Sequence, residues 1–205
     1  MLPFYAERFQ TTEINYTFYR LPSTATLKHW AAETPERFCF SLKAPRQITH
    51  VQRLQGAAPL LKHFWSVVQT LKSKLGPILF QLPPFFKRDL GVLEDFLESL
   101  PAGLRASFEF RHPSWFAENV YDALRLRNAA LCIADSEKLT TPAVFTADFA
   151  YFRLRNENYT PRDIRRWTAL ILKQRKTETY VYFKHEARAT GPRFAVQLRE
   201  ATGEK

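Results

Sequence analysis

Charged and amide side chains stand at the downstream ends of successive apolar runs in this chain. Glu13 and Asn15 close T-E-I-N, Lys43 closes F-C-F-S-L-K, Gln81 falls in I-L-F-Q-L, and Glu109 with Arg111 closes S-F-E-F-R. Asp135 follows L-C-I-A, Arg153 and Arg155 punctuate Y-F-R-L-R, and Lys184 ends Y-V-Y-F-K. A carboxylate two residues from a guanidinium, as in Glu109 and Arg111, suits general acid/base work with a pKa set by its neighbour; the bland alternative is a pair that neutralises itself. Lys43, Arg111, Arg153 and Lys184 set against Glu13, Glu109 and Asp135 can clamp a phosphate or carboxylate, arginine supplying paired donors, or can form a salt-bridge network that stiffens the rim. Lys43 can also form a Schiff base if its pKa is depressed. Asn15 and Gln81 suit a polar ligand, or each other.

His50 and His112 follow two of these runs, and with Glu13, Glu109 and Asp135 they offer ligands for a divalent metal. No H-x-x-x-H or equivalent spacing supports that, so a metal is not favoured and the cofactor is unassigned. Tyr16, Tyr19 and Trp115 fall beside the same ends. Their rings can stack on a sugar or base, although capping a core is the commoner use of such residues.

These residues share a site only if the runs are strands of one sheet. Strand side chains alternate, so Phe38, Phe40 and Leu42 point one way while Cys39, Ser41 and Lys43 point the other. The same split separates Ser107, Glu109 and Arg111 from Phe108 and Phe110. Seven strands are expected, over Thr12–Asn15, Phe38–Lys43, Ile78–Leu82, Ala106–Arg111, Leu131–Asp135, Tyr151–Arg155 and Thr179–Lys184. Helical spacing lies between them: Leu60, Leu61, Phe64, Val67, Val68 and Leu71; Leu93, Phe96, Leu97 and Leu100; Phe116, Val120, Ala123 and Leu124; Ile164, Trp167, Leu170 and Ile171. A shorter helix is expected within Pro22–Glu33, and Leu2, Tyr5 and Phe9 read as the tail of another. Thr160 before Pro161, Asp89 and Ser114 are candidate caps.

Strand and helix alternate to the end with no linker, which predicts one domain over residues 1–205 with parallel strands and helical crossovers. One strand parity carries small or polar residues, as a barrel lumen requires; the inner strands of an open doubly wound sheet are apolar on both faces. A β/α barrel of the TIM type, one strand short of eight at its N-terminus, is the expected fold. Its site would lie at the C-terminal ends of the strands, where the marked residues stand.

The 205 residues carry 30 Lys and Arg against 20 Asp and Glu, a formal net charge of +10 that favours anionic partners: a phosphorylated small molecule, or nucleic acid. Cys39 and Cys132 fall inside apolar strands rather than at metal or disulfide spacings, which suits a reducing, cytoplasmic location. The greasiest stretch, Leu75 to Phe86, contains Gln81 and three prolines, and no leader-like segment follows Met1, so membrane spanning and secretion are not expected. Neither a G-x-G-x-x-G nor a Walker loop occurs.

Five peptides taken in order, T-E-I-N-Y-T-F-Y-R-L-P (Thr12–Pro22), K-A-P-R-Q-I-T-H (Lys43–His50), L-G-P-I-L-F-Q-L-P-P (Leu75–Pro84), E-F-R-H-P-S-W-F (Glu109–Phe116) and A-D-S (Ala134–Ser136), closely resemble the YecE-like family, domain of unknown function 72. The resemblance runs over nearly the whole chain and implies a TIM-type barrel; it brings no reaction with it. The family's opening Gly-rich strand has no counterpart here. Arg155 and Asn156 replace a usual His-Gly, and Lys184 and His185 replace asparagine-type residues, so those two edges of the pocket transfer least. The expected function is acid/base catalysis, as a hydrolase, isomerase or lyase, on a small anionic or sugar-like molecule, with or without a phosphate. Glu109 would move the proton, Lys43 would stabilise negative charge, and Asp135 with Asn15 would orient the substrate. Glu13, Tyr19, Gln81, Arg111, His112, Trp115, Arg153 and Lys184 would complete its binding. The alternative is a non-catalytic nucleic-acid-binding protein that uses its basic surface, Arg162, Arg165 and Arg166 included.

Overall fold

A computed structural model describes residues 2–136, 139–174, 178–183 and 190–203. Seven parallel strands lie side by side in chain order: β1 (Thr11–Ile14), β2 (Cys39–Lys43), β3 (Leu75–Gln81), β4 (Ala106–Glu109), β5 (Ala130–Ser136), β7 (Phe149–Leu154) and β8 (Glu178–Phe183). A two-residue strand, β6 (Leu139–Thr140), pairs antiparallel with β5. The crossovers carry α2 (Thr24–Ala32), α3 (Ala58–Val68), α4 (Leu90–Glu98), α5 (Glu118–Leu126) and α6 (Pro161–Leu172); α1 (Leu2–Ala6) precedes β1 and α7 (Thr190–Thr202) follows β8. The sheet curls into a nearly closed barrel with the helices outside.

The alternation read from sequence sorts the two faces. Phe38, Phe40, Leu42, Ile78, Phe80, Phe108 and Phe110 pack outward into one large core with Leu61, Phe64, Leu93, Phe96, Val120 and Leu124 of the helices. On the other parity, Leu79, Ala130, Cys132, Ala134, Phe149, Tyr151, Tyr180 and Tyr182 fill the lumen. Local chemistry starts the helices where expected at two places. Asp89 accepts from the Val92 amide to cap α4, and Thr160 and Asp163 cap α6 reciprocally, with Pro161 in its first turn.

Ser114 is not a helix cap. Pro113 opens a 3-10 turn over Pro113–Trp115 that His112 caps through its ring nitrogen, while Ser114 Oγ accepts from the Arg88 amide; α5 starts at Glu118, after an Ala117 that offers no side-chain cap. Likewise, the helix expected to run through Leu71 ends at Val68 and tightens into a 3-10 stretch over Gln69–Lys74, where Lys72 has φ 51°.

No backbone ladder joins β8 to β1 among the described residues, and this seam is bridged by side chains instead. Tyr182 and Thr11 share a hydroxyl contact of 2.7 Å, Tyr151 donates to Glu13 at 2.7 Å, and Arg153 donates to Glu13 at 2.7 Å. Beside the seam lies a cleft of about 330 Å³, lined by Thr11, Glu13, Arg153, Tyr182 and Phe183 and by Leu198 of α7.

Gly76 marks the tightest approach in the sheet. A Cβ there would overlap Cys39 Sγ and stand 3.3 Å from the Phe40 carbonyl oxygen, which is backbone and cannot rotate away. Gly76→Ala should therefore destabilise the fold by about 1–3 kcal/mol in urea melts. The loss should shrink in a Cys39→Ala background; an unchanged midpoint for the single variant would contradict this packing.

Candidate functional site

Glu109 is the hub of the polar group at the C-terminal mouth. It ends β4 on the lumen face and is 1% exposed. One carboxylate oxygen, Oε1, accepts from Arg111 Nε at 2.9 Å and lies 3.6 Å from an Arg155 nitrogen. The other, Oε2, accepts from Gln81 Nε2 at 2.8 Å and makes a short contact with Arg153. Gln81 Oε1 in turn accepts from Lys43 Nζ at 2.7 Å. The register makes this chain of contacts: Gln81 stands opposite Glu109, and Lys43 opposite Leu79, so three neighbouring strands deliver adjacent lumen side chains.

Arg153 ties a second carboxylate into the group. It too is 1% exposed, and it donates from one end of its fork to Glu109 and from the other to Glu13. Its Nε is buried and has no partner among the described residues. Glu13 also accepts from Asn15 Nδ2 at 3.2 Å and from the Tyr151 hydroxyl. Tyr151 touches Ser41 Oγ at 2.8 Å, and Ser41 reaches the Pro77 carbonyl oxygen at 2.7 Å.

The charges do not balance. Among the described residues, Lys43, Arg111, Arg153 and Arg155 face only Glu13 and Glu109, four cations against two carboxylates. Burial pushes the Glu109 carboxyl upward, but the guanidiniums of Arg153 and Arg111 outweigh it and hold the group well below the usual carboxylate range. A carboxylate so fixed and saturated is a counter-charge and a poor proton carrier. Lys43 moves the other way: burial, then the nearby charge of Arg153, lowers its pKa to about 8. Burial and the charges of Lys43 and Arg111 lower His50 to about 4, so its ring is neutral at physiological pH.

The structure brings Glu13, Asn15, Lys43, Gln81, Glu109, Arg111 and Arg153 together and sets others apart. Asp135 has the parity of Leu131 and Ile133, not that of the lumen residues Cys132 and Ala134, and it accepts from the Tyr159 hydroxyl at 2.9 Å. Trp115 is fully buried: its ring stacks on Phe110 with centroids 4.6 Å apart, and its Nε1 donates to the Phe86 carbonyl oxygen, so it caps the core. Tyr19 is 80% exposed and packs edge-on to Phe18, and His112 binds Ser114. Lys184 lies outside the described residues. Among those described, no group of three His, Cys, Asp or Glu side chains is placed to hold a metal ion.

Two members of the group were missing from the expected site. Arg155 shares the parity of Arg153, which was the available signal. Phe18 had none, because only folding sets its ring 3.9 Å from Lys43 Nζ.

The family model described as "Protein of unknown function DUF72" matches residues 1–205, and the chain belongs to that family. It is similar to UPF0759 protein YecE of Escherichia coli K12, with 35% identity over 115 residues, 56% of this chain and 42% of that protein. It is also similar to UPF0759 protein YunF of Bacillus subtilis 168, with 27% identity over 127 residues, 58% of this chain and 45% of that protein. The matches thus span less than half the length of these curated relatives. Among solved structures, a DUF72 protein from Thermotoga maritima MSB8 superposes with a TM-score of 0.84 at 28% identity, covering 96% of this chain and 85% of that one. One from Enterococcus faecalis V583 gives 0.88 at 18% identity, covering 100% and 89%, which supports the fold alone. The seven-stranded, nearly closed barrel is therefore that of a TIM-type fold lacking one strand.

Removing the counter-charge should be costly. Glu109→Gln leaves Arg111, Arg153 and Arg155 facing one another in a buried site, and the urea midpoint should fall by the equivalent of about 3–5 kcal/mol. Acid should act in two stages. His50 binds its proton near 6.5 when unfolded and only near 4 when folded, so stability falls as pH drops through that window. Glu109, depressed in the fold, adds a further loss below its unfolded value of about 4.5. Melts of His50→Gln should be flatter between pH 6.5 and 4 than those of the wild type, and superimposable curves would refute the assignment.

Proposed function

We propose that this DUF72 barrel binds a small anionic or phosphorylated molecule at its C-terminal mouth and acts on it by proton transfer. The observation that carries the reading is the unbalanced charge: among the described residues, two cations remain in excess after Glu13 and Glu109 are used. Arg111 commits only Nε to Glu109, and the Arg155 guanidinium donates no hydrogen bond among the described residues, so both guanidiniums keep donors for an incoming anion. Each is about a quarter exposed, where Arg153 and Glu109 are sealed.

The roles divide by burial. Arg153 and Glu109 form the fixed scaffold, Arg111 and Arg155 hold the anion, and Asn15 and Glu13 flank it. Lys43 carries the proton, because an amine with a pKa of about 8 exists in both forms near neutral pH. Glu109, first expected in that role, supplies the field around it. Asp135 has no part, being committed to Tyr159 on the helix side of the sheet. Hydrolysis, isomerisation and elimination on a phosphorylated or carboxylated sugar all use such a proton carrier beside an anion clamp.

Inorganic phosphate tests the site directly. At a hundredfold excess over its dissociation constant, phosphate should stabilise the protein by about 2.7 kcal/mol, read as a raised Tm against chloride of equal ionic strength. Arg111→Met and Arg155→Met should still fold, since both side chains reach solvent, but should lose most of that rise. An unshifted wild-type melt would end the proposal. Oligonucleotide binding that survives both substitutions and collapses with salt would favour the exposed arginines of α6 and the nucleic-acid reading instead.

A further inference from the structure

Lys43 is placed unlike a lysine whose task is to balance charge. Its Nζ donates to the neutral amide oxygen of Gln81, while the carboxylates of Glu13 and Glu109 are occupied by arginines. The Phe18 ring lies 3.9 Å beneath the amine, and Phe18 is itself braced edge-on by His50 at 4.9 Å. The Thr17 hydroxyl donates to the Lys43 carbonyl oxygen at 2.6 Å and fixes the backbone from which the side chain rises. An aromatic floor, one neutral partner and a clamped stem position a half-buried amine at the mouth.

Resting on the anion-binding part of the reading above, and giving Lys43 a covalent role in place of the proton carrier's, we propose that Lys43 is a nucleophile that forms a Schiff base with a small aldehyde or ketone carrying its own carboxylate or phosphate. The anionic group would lie on Arg111 and Arg155 and the carbonyl carbon at Nζ. Gln81 and Glu109 link these positions through successive contacts of 2.7, 2.8 and 2.9 Å, so the amine and the guanidiniums belong to one continuous group of side chains. The free amine's lone pair forms the N–C bond as the carbonyl oxygen takes a proton. Loss of that oxygen as water, with departure of the nitrogen's proton, leaves the C=N bond. One water is released, nothing is oxidised or reduced, and water reverses the step. Burial, and after it the charge of Arg153, keeps a sizeable fraction of Lys43 unprotonated near pH 8, which surface lysines lack.

Reductive trapping decides the matter. The full chain would be incubated at pH 7.5 with sodium cyanoborohydride and pyruvate, dihydroxyacetone phosphate or uncharged acetone, and the labelled lysines located by peptide mass spectrometry. With an anionic probe, Lys43 should be labelled about tenfold faster than any other lysine, on a profile with a midpoint near pH 8. Pyruvate against dihydroxyacetone phosphate tells a carboxylate preference from a phosphate one. Inorganic phosphate should slow the labelling, as should Arg111→Met.

Labelling spread evenly over lysines, or acetone matching the anionic probes at Lys43, would overturn the inference. These outcomes are read on the wild-type chain and need no variant to fold. If phosphate still raises Tm while Lys43 stays unlabelled, the anion site stands and the covalent step falls. If neither occurs, both readings fall together.

Discussion

The mouth of this barrel depends on one guanidinium shared between two buried carboxylates. Arg153 rises from β7 and grips Glu109 on β4 and Glu13 on β1, so a single side chain joins strands far apart around the ring. Taking these ions out of water is expensive, and the arrangement holds because all four carboxylate oxygens of Glu13 and Glu109 have a partner at close range. Gln81, Arg111, Asn15 and Tyr151 supply those partners, and each is a lumen residue of a strand or of the segment just beyond it. Geometry at the mouth is thus inherited from strand register, and a shift of one residue would carry the whole set to the helix side.

Burial then separates structure from chemistry within one charge cluster. The sealed pair fixes the field, while Lys43, Arg111 and Arg155 stand where that field meets solvent and retain unspent capacity. This explains why Glu109, the most conspicuous carboxylate in the sequence, is a weak candidate for moving protons. Its environment favours one ionisation state so strongly that the other is inaccessible near neutral pH. Lys43 is brought toward neutrality by its burial first and by the charge of Arg153 next.

Much of this was legible beforehand because a strand's period of two is a hard rule. Wherever an apolar residue and a polar one alternate, as in Ser107, Glu109 and Arg111, the face follows from counting. Asp135 shows the limit: it comes right after an apolar run and looks like its neighbours in kind, but it falls on the wrong parity, a count the sequence contained. Trp115 misled in another way, since a loop tryptophan next to proline can fold out over a pocket or inward over Phe110, and only packing decides. The aromatic floor under Lys43 involves residues 25 apart in the chain, a pairing that local pattern does not encode.

The seam between β8 and β1 gives the ring an unusual last link. Every other junction is a backbone ladder, indifferent to which side chains happen to decorate it. Here the fastening consists of two tyrosines, a threonine, a glutamate and an arginine, groups that codon changes can delete and evolution can retune one at a time. Circularity is therefore a heritable trait of a few positions in this protein and not a guarantee of its architecture. One of the side chains that fasten the ring, Arg153, also grips Glu109, the counter-charge of the mouth, so selection on shape and selection on the mouth's charge act on a common set of letters.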